Sequence, residues 1–341
     1  MFVVLGNSLA PTLRDYFTTR AQGDDRVELL PAEISKFVST EATADIKSTP
    51  EDIAGKPITV IQSLAAVRDH TANDTAMELL LTVRALKRYG AGPVWVVMPF
   101  MAYGRQDRQF DGKMNSIAID DFAQMLKNAG AEGVSTIEMH SEAGVGFLQK
   151  HFGNNRVFNL DPTQLIASDI VHRVGQNEVR VGGPDEGAND RAASVASEVG
   201  AGAFEFTKTH IGTNDTEVTG FKGNVQGVAT ATVDDMIDTG GTIIGSQVRL
   251  AEEGATHRLV YAAHGLFSNN GLRRLYSAKL PGTEEPLIAR IVVTDTIDTT
   301  GIMASLISKY GLSGVRDRFQ VIGSGEMLYE HMTKDIALII E

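Results

Sequence analysis

The sequence predicts an α/β protein made of two tandem units, each a mostly parallel sheet flanked by helices. Three observations carry this reading. Short apolar runs rich in β-branched residues recur through the 341 residues, helical stretches separate most of them, and the series starts afresh near the middle. The first series has strand-like runs near Phe2 to Leu5, Ile58 to Gln62, Val94 to Met98 and Val134 to Glu138. Between Asp74 and Arg88, residues Ala76, Leu79, Leu80, Val83 and Leu86 fall on one helical face, with Asp74 in place to cap the N-terminus. The second series runs through Arg156 to Phe158, Val179 to Val181, Ala203 to Phe206, Val228 to Val233, Arg258 to Ala263 and Ile288 to Val293. The expected boundary therefore lies near Asn155, giving domains 1–155 and 156–341. Leu328, Met332, Ile336 and Ile339 give the final segment helical spacing, so it is expected to pack on one of the domains.

Composition narrows the class. A content of 43% hydrophobic and 22% charged residues is that of an ordinary globular protein, and the length allows each domain a sizeable core. No apolar run reaches the length of a membrane span, and Met1-Phe2-Val3-Val4-Leu5-Gly6 lacks the basic start of a signal peptide, so a cytoplasmic protein without a membrane partner is expected. The absence of cysteine excludes disulfides, thiol catalysis and thiolate metal sites. A formal charge of -12 argues against a broad nucleic-acid footprint but leaves small phosphorylated ligands open.

The chemistry centres on Val233-Asp234-Asp235-Met236-Ile237-Asp238-Thr239-Gly240-Gly241-Thr242. The uncharged run before it reads as a buried strand, followed by a turn and a helix from about Thr242. In open α/β sheets, ligands bind at the carboxyl ends of strands, where the next helix N-terminus attracts anions. Asp238 to Thr242 supply what a phosphate cradle needs: glycines that let the backbone approach, with hydroxyls and backbone N–H groups as donors. The neighbouring carboxylates of Asp234 and Asp235 suit a sugar whose hydroxyls donate to them, or a divalent cation that screens phosphate. An acidic, glycine-rich surface turn is the alternative.

Four further stretches stand at strand or loop ends. Met98 to Arg108 holds Arg105, Gln106, Asp107 and Arg108, which suit a polyphosphate and its base or sugar but equally a solvated charged loop. His140 follows the next strand, and a lone histidine is more often structural. Asp185 lies in Pro184-Asp185-Glu186-Gly187-Ala188, a composition that also makes plain turns. Lys208 opens a polar stretch from Lys208 to Val218.

The Asp234 to Thr242 segment resembles the phosphoribosyl pyrophosphate loop shared by type I phosphoribosyltransferases and ribose-phosphate pyrophosphokinases. The arginine stretch resembles the ATP-binding loop of the pyrophosphokinases, a loop the transferases do not carry. The resemblance extends over nearly the whole chain: Gln62-Ser63, Asn73-Asp74 and Met77-Glu78-Leu79-Leu80 look like the family's first-domain signature, and His264-Gly265-Leu266-Phe267 like its second. It implies two tandem phosphoribosyltransferase-like domains, the first binding ATP and the second ribose 5-phosphate. It further implies an enzyme that moves the β,γ-diphosphoryl group of ATP to the anomeric hydroxyl of ribose 5-phosphate, with Mg2+ as cofactor.

On this resemblance Arg105, Gln106 and Asp107 belong to the ATP site. His140 helps hold the magnesium-bound nucleotide, and Asp185 lies near the ribose phosphate and metal. Asp234 and Asp235 would hold the ribose hydroxyls, directly or through magnesium, while Asp238, Thr239, Gly240, Gly241 and Thr242 grip the 5-phosphate. Lys208 matches the lysine that leads the family's mobile catalytic loop, where a cation can neutralise charge on the transferring group. Two residues later the family usually has arginine and this chain has His210, whose imidazole cannot make a two-pronged guanidinium contact. Phe37, Ser39 and Glu41 fall in a segment that in the family contacts adenine from a neighbouring subunit, so a homo-oligomer, dimer or larger, is implied. His210 and the altered first-domain segments, where Gln109, Phe110 and Asp111 replace a more basic run, motivate an alternative: a non-catalytic regulatory relative. A phosphoribosyltransferase fits the central loop but not Arg105-Gln106-Asp107.

Overall fold

A computed structural model of the chain describes residues 1–175, 178–210, 216–312 and 314–340, with side chains for all of these except 208–210 and 216–219. The chain divides into two compact units. One comprises Met1–Leu160, Asp295–Asp298 and the chain from Gly323 on; the other comprises Asp161–Thr294 and Thr299–Ile322.

The first unit runs β1 (Phe2–Leu5), α1 (Pro11–Gly23), β2 (Glu28–Leu29), β3 (Ala32–Lys36), β4 (Ala42–Ile46), α2 (Pro50–Ile53), β5 (Ile58–Ile61), α3 (Ala72–Arg88), β6 (Val94–Met98), α4 (Ala118–Ala129), β7 (Gly133–Ile137), α5 (Glu142–Phe152) and β8 (Val157–Leu160). Its six-stranded sheet has the order β2-β1-β5-β6-β7-β8 with every pair parallel. All residues of β5, β6 and β7 are buried. Helices cover both faces of such a sheet, so its strands read as continuous apolar runs without alternation. The expected helix after residue 74 is α3, but its cap is Thr71. Thr71 Oγ1 accepts from the Asp74 N–H at 3.2 Å, and Asp74 Oδ2 accepts from the Thr71 N–H at 2.7 Å, a closed capping box.

The second unit runs α6 (Thr163–Val174), β9 (Val179–Gly182), α7 (Asn189–Val199), β10 (Gly202–Ala203), β11 (Glu205–His210), β12 (Thr216–Lys222), β13 (Ala229–Ile237), α8 (Gly241–Glu252), β14 (Arg258–Gly265), α9 (Gly271–Ser277), β15 (Arg290–Thr294), α10 (Thr300–Tyr310), α11 (Val315–Arg318) and β16 (Phe319–Ile322). Its sheet order, β10-β9-β13-β14-β15-β16, repeats that of the first unit. The expected architecture of two parallel α/β sheets in tandem is thus present.

Several boundaries differ from the sequence reading. The run at Arg156 to Phe158 does not open the second sheet: Val157 pairs with Val134, which makes β8 the outer strand of the first. Phe158 packs on Trp95, ring centroids 6.0 Å apart, and that contact holds the strand there. The compact units accordingly divide after Leu160 rather than between 155 and 156. The C-terminal segment, α12 (Gly325–His331) and α13 (Ala337–Ile340), returns to the first unit, where Leu328, Tyr329, Met332 and Ile336 join a core containing Leu13, Phe17 and Trp95. Of the run at Ala203 to Phe206, only Ala203 joins the sheet, as the end of β10, while β11 pairs antiparallel with β12. A second antiparallel pair, β3 with β4, was not foreseen, because neither strand carries an apolar run.

Candidate functional site

In the second unit the acid pair lies within the strand rather than after it, since β13 continues to Ile237. Successive side chains on a strand point to opposite faces. The two carboxyls nonetheless stay close enough to interact, Asp235 adding its charge and a side-chain hydrogen bond to the surroundings of Asp234. Asp235 is buried and Asp234 half-buried. Burial, reinforced by the adjacent Asp235, pushes the Asp234 carboxyl up to about 8. The cation beside it is Arg191 on α7, with Nη1 3.9 Å from Asp234 Oδ1. Nothing in the sequence singled out Arg191; only the pairing of β9 with β13 brings α7 beside the acids.

Asp238, Thr239 and Gly240 follow the strand, and α8 starts at Gly241, one residue earlier than expected. Gly240 has φ 78°, the left-handed conformation that only glycine adopts at little cost. A Cβ there would also meet Leu275 Cγ at 2.9 Å. Asp238 to Thr242 therefore do form a glycine-shaped turn at a helix N-terminus, a geometry suited to an anion. Asp185 caps the short helical turn at 186–188, with Oδ1 accepting the Gly187 N–H at 3.0 Å. Lys208 and His210 lie on β11, but their side chains fall outside the described residues.

In the first unit, loop 99–117 leaves β6 with Tyr103 at φ 68°. Its hydroxyl donates to Asn73 Oδ1 at 2.7 Å, and the Gln106 N–H donates to the Tyr103 carbonyl at 2.8 Å. The loop is pinned again by Asp107, whose Oδ2 accepts from Ser141 Oγ at 2.6 Å, and Ser141 is the cap of α5. A Cβ added to Gly104 would lie 3.0 Å from Met139 Sδ and 3.8 Å from His140 Cβ. Arg105, Gln106, Asp107 and His140 thus belong to one surface at the carboxyl ends of β6 and β7. Phe37 and Glu41 sit at the tip of the β3–β4 hairpin, where the Phe37 N–H donates to the Glu41 carbonyl at 2.9 Å and the Phe37 ring is 62% exposed. Glu41 Oε2 accepts from Ser39 Oγ at 2.6 Å. The tip end of the hairpin reaches the same helix end as the arginine loop: Lys36 Nζ lies 3.5 Å from Asp74 Oδ2, next to the Asn73 that receives Tyr103.

Residues 6–130 fit the model of the N-terminal domain of ribose phosphate pyrophosphokinase. A ribose-phosphate pyrophosphokinase of Neisseria meningitidis serogroup A is 32% identical over 271 residues, covering 80% of this chain and 76% of the relative. The chain belongs to the ribose-phosphate pyrophosphokinase family. A second member, from Vibrio vulnificus, is 31% identical over 292 residues, covering 85% of this chain and 86% of its own. The fold is shared with a crystal structure of phosphoribosylpyrophosphate synthetase from Mycobacterium smegmatis: TM-score 0.78 at 24% identity, covering 99% of this chain and 98% of that one. As a member of this family the chain is a transferase. Among the described residues no helix is long and apolar enough to cross a membrane.

Proposed function

We propose that the chain transfers the β,γ-diphosphoryl group of ATP to the C1 hydroxyl of ribose 5-phosphate, giving phosphoribosyl pyrophosphate and AMP. The observation that carries this reading is the presence in one chain of a glycine-shaped anion turn beside an acid pair, in the second unit, and an arginine loop beside a histidine, in the first. The C1 hydroxyl oxygen attacks the β-phosphorus and gives up its proton to solvent, the bond from that phosphorus to the oxygen bridging to the α-phosphorus breaks, and its electron pair leaves with AMP. No covalent enzyme intermediate is needed, so the rate gain comes from alignment and charge neutralisation.

Asp238, Thr239, Gly240, Gly241 and Thr242 grip the 5-phosphate. Asp234 and Asp235 accept from ribose hydroxyls, and Arg191 holds Asp234 in place. Arg105, Gln106 and His140 place the nucleotide; Asp107 keeps their loop on α5; Phe37 and Glu41 meet adenine at the hairpin tip. Lys208 neutralises charge on the group in transfer, with His210 two residues further along β11.

Among the described residues no group of three or more His, Cys, Asp or Glu side chains is placed to hold a metal ion. That fits Mg2+, which keeps several waters and is usually bound by one or two carboxylates plus substrate phosphates. Asp185 would supply a carboxylate in the second unit and His140 a ligand beside the nucleotide in the first, and the ion would screen the polyphosphate charge. The protein works in the cytoplasm as a homo-oligomer, dimer or larger, which would give the exposed Phe37 ring a neighbouring subunit to face.

The test is AMP formation that requires both ribose 5-phosphate and magnesium; its absence with folded protein rejects the reading. His210 in place of arginine favours one other reading, a regulatory relative that binds nucleotide without turnover. In that case His210→Arg leaves the protein inactive.

A further inference from the structure

Helix α9 touches three consecutive residues of the 238–240 turn. A Cβ on Gly271 would lie 2.2 Å from the Asp238 carbonyl oxygen, so that oxygen sits against the bare Gly271 backbone. Arg274 Nη1 donates to the Thr239 carbonyl at 3.0 Å. Leu275 occupies the space a side chain at Gly240 would need. The carbonyls of Asp238 and Thr239 therefore both face α9. In a trans peptide the C=O and the following N–H point in opposite directions. The N–H groups of Thr239 and Gly240 consequently face away from α9, side by side, and successive N–H groups aimed the same way form an anion-binding concavity.

The segment that delivers α9 is itself strained. Phe267, Asn269 and Asn270 have φ of 52°, 50° and 60°, a conformation that asparagine tolerates and phenylalanine rarely adopts. The surroundings over-determine it. The N–H groups of Leu266 and Phe267 both donate to the Ile237 carbonyl at 3.0 Å, and the buried Phe267 ring packs edge-on against Phe319 with centroids 5.6 Å apart. Arg273 stacks 3.9 Å above the Tyr310 ring, and Tyr310 in turn donates to Asn270 Oδ1 at 3.4 Å. Strain of this kind persists where a structure holds a functional geometry.

We propose that α9 and its strained lead-in hold the phosphate turn in its binding conformation, and that Arg274 is a positioning residue for the phosphate monoester of the sugar substrate. Arg274 acts through Thr239: by drawing that carbonyl outward it presents the Gly240 N–H to the phosphate and keeps a repelling oxygen away from it. This deepens the reading of residues 238–242 as the phosphate site and rests on it.

The experiment compares Arg274→Met, Arg274→Lys and Gly271→Ala with the wild type in the full chain. It uses calorimetric titration with inorganic phosphate and with ribose 5-phosphate, and steady-state AMP formation. Arg274→Met is expected to weaken both ligands about tenfold and to raise the KM for ribose 5-phosphate alike, the loss of one charge-assisted hydrogen bond. The expected kcat stays within about threefold and the KM for ATP does not move, because no transition-state contact is removed. Arg274→Lys, which keeps a donor for one carbonyl, recovers part of the loss, and Gly271→Ala, whose Cβ displaces the Asp238 carbonyl, weakens both ligands while leaving the KM for ATP unmoved. The proposal is overturned if Arg274→Met leaves both affinities unchanged, if both KM values and the thermal midpoint shift together, or if the wild type binds neither ligand. A wild type that binds phosphate through Arg274 yet forms no AMP sinks the assigned reaction and leaves this inference standing.

Discussion

β5 and β13 hold the same place in two sheets of identical order, yet the chain does opposite things at their ends. After β13 come small residues and a left-handed glycine, and the turn stays open for an anion. After β5 the space is filled. Gln62 Nε2 donates to the Thr75 carbonyl at 2.6 Å and to Glu78 Oε2 at 3.4 Å, while the other Glu78 oxygen lies 2.7 Å from His70 Nδ1. A Cβ on Gly6 would come within 2.3 Å of Gln62 Oε1, so the end of β1 presses on the same cluster. In the first unit the ligand-type residues emerge instead after β6 and β7. Strand order fixes where loops emerge; the first few side chains of each loop decide whether it opens to a ligand or closes on itself.

The sharpest way to break this contrast is to fill the open turn. Gly240→Val adds a Cβ that meets Leu275 and forces a β-branched residue to φ 78°. Sugar-phosphate affinity is expected to fall more than about 100-fold, equivalent to roughly 3 kcal/mol, with nucleotide affinity intact. Titration with each substrate checks it, and equal losses for both would remove the turn's specific role in holding the sugar phosphate. On the other side, Arg105→Ala should raise the KM for ATP by about 10- to 100-fold and leave that for ribose 5-phosphate unmoved, the usual loss for one charge-assisted phosphate contact. A smaller effect, of opposite sign, is expected at β11: His210→Arg should raise kcat by about tenfold, since a guanidinium stabilises charge developing on a phosphoryl group better than an imidazole.

The closed end should answer in stability instead. Glu78 has no exposed side chain, and burial pushes its carboxyl above the usual range against the pull of His70. Glu78→Ala leaves His70 and Gln62 facing a void and should cost about 3 kcal/mol in denaturant unfolding, with both KM values within about twofold of the wild type. A changed KM for either substrate would place the cluster in a binding site and dissolve the contrast.

The smallest effect is expected at the returning C-terminal helix. Buried His331 lies between Ser135 Oγ, 2.8 Å from Nε2, and Asp335 Oδ2, 2.8 Å from Nδ1. Burial lowers its pKa below the ordinary value of 6.5, and Asp335 only partly offsets this. As pH falls through that value the unfolded chain binds the proton first, so this contribution to stability is complete at higher pH and lost on acidification. The thermal midpoint should therefore fall less between about pH 8 and pH 5.5 in His331→Asn than in the wild type. An identical fall in both would remove His331 from the account.

Much of the site was legible because its determinants are local. Gly240 is needed where the backbone turns left-handed, and a glycine-rich segment after a buried run announces that without a fold. The arginine loop could be placed after a strand for the same reason. Arg191, Gly271 and Arg274 were not legible: each acts on a residue more than thirty positions away, and neither a lone arginine nor a lone glycine marks its partner. The hairpin carrying Phe37 and Glu41 was missed because its strands are half-exposed and polar, so their pairing leaves no apolar period to read.

The sequence by itself determined that two parallel sheets form, since buried strands must be apolar throughout, and that one strand end carries an acid pair and an anion turn. Only the tertiary structure decided that β8 closes the first sheet, that the last helices return to the first unit, and that α9 sets the direction of the turn's carbonyls. Those outcomes depend on contacts such as Phe158 with Trp95, Leu328 with the first core, and Arg274 with Thr239. Each joins segments far apart in the chain, and the partner's identity is not encoded in the pattern of either segment alone.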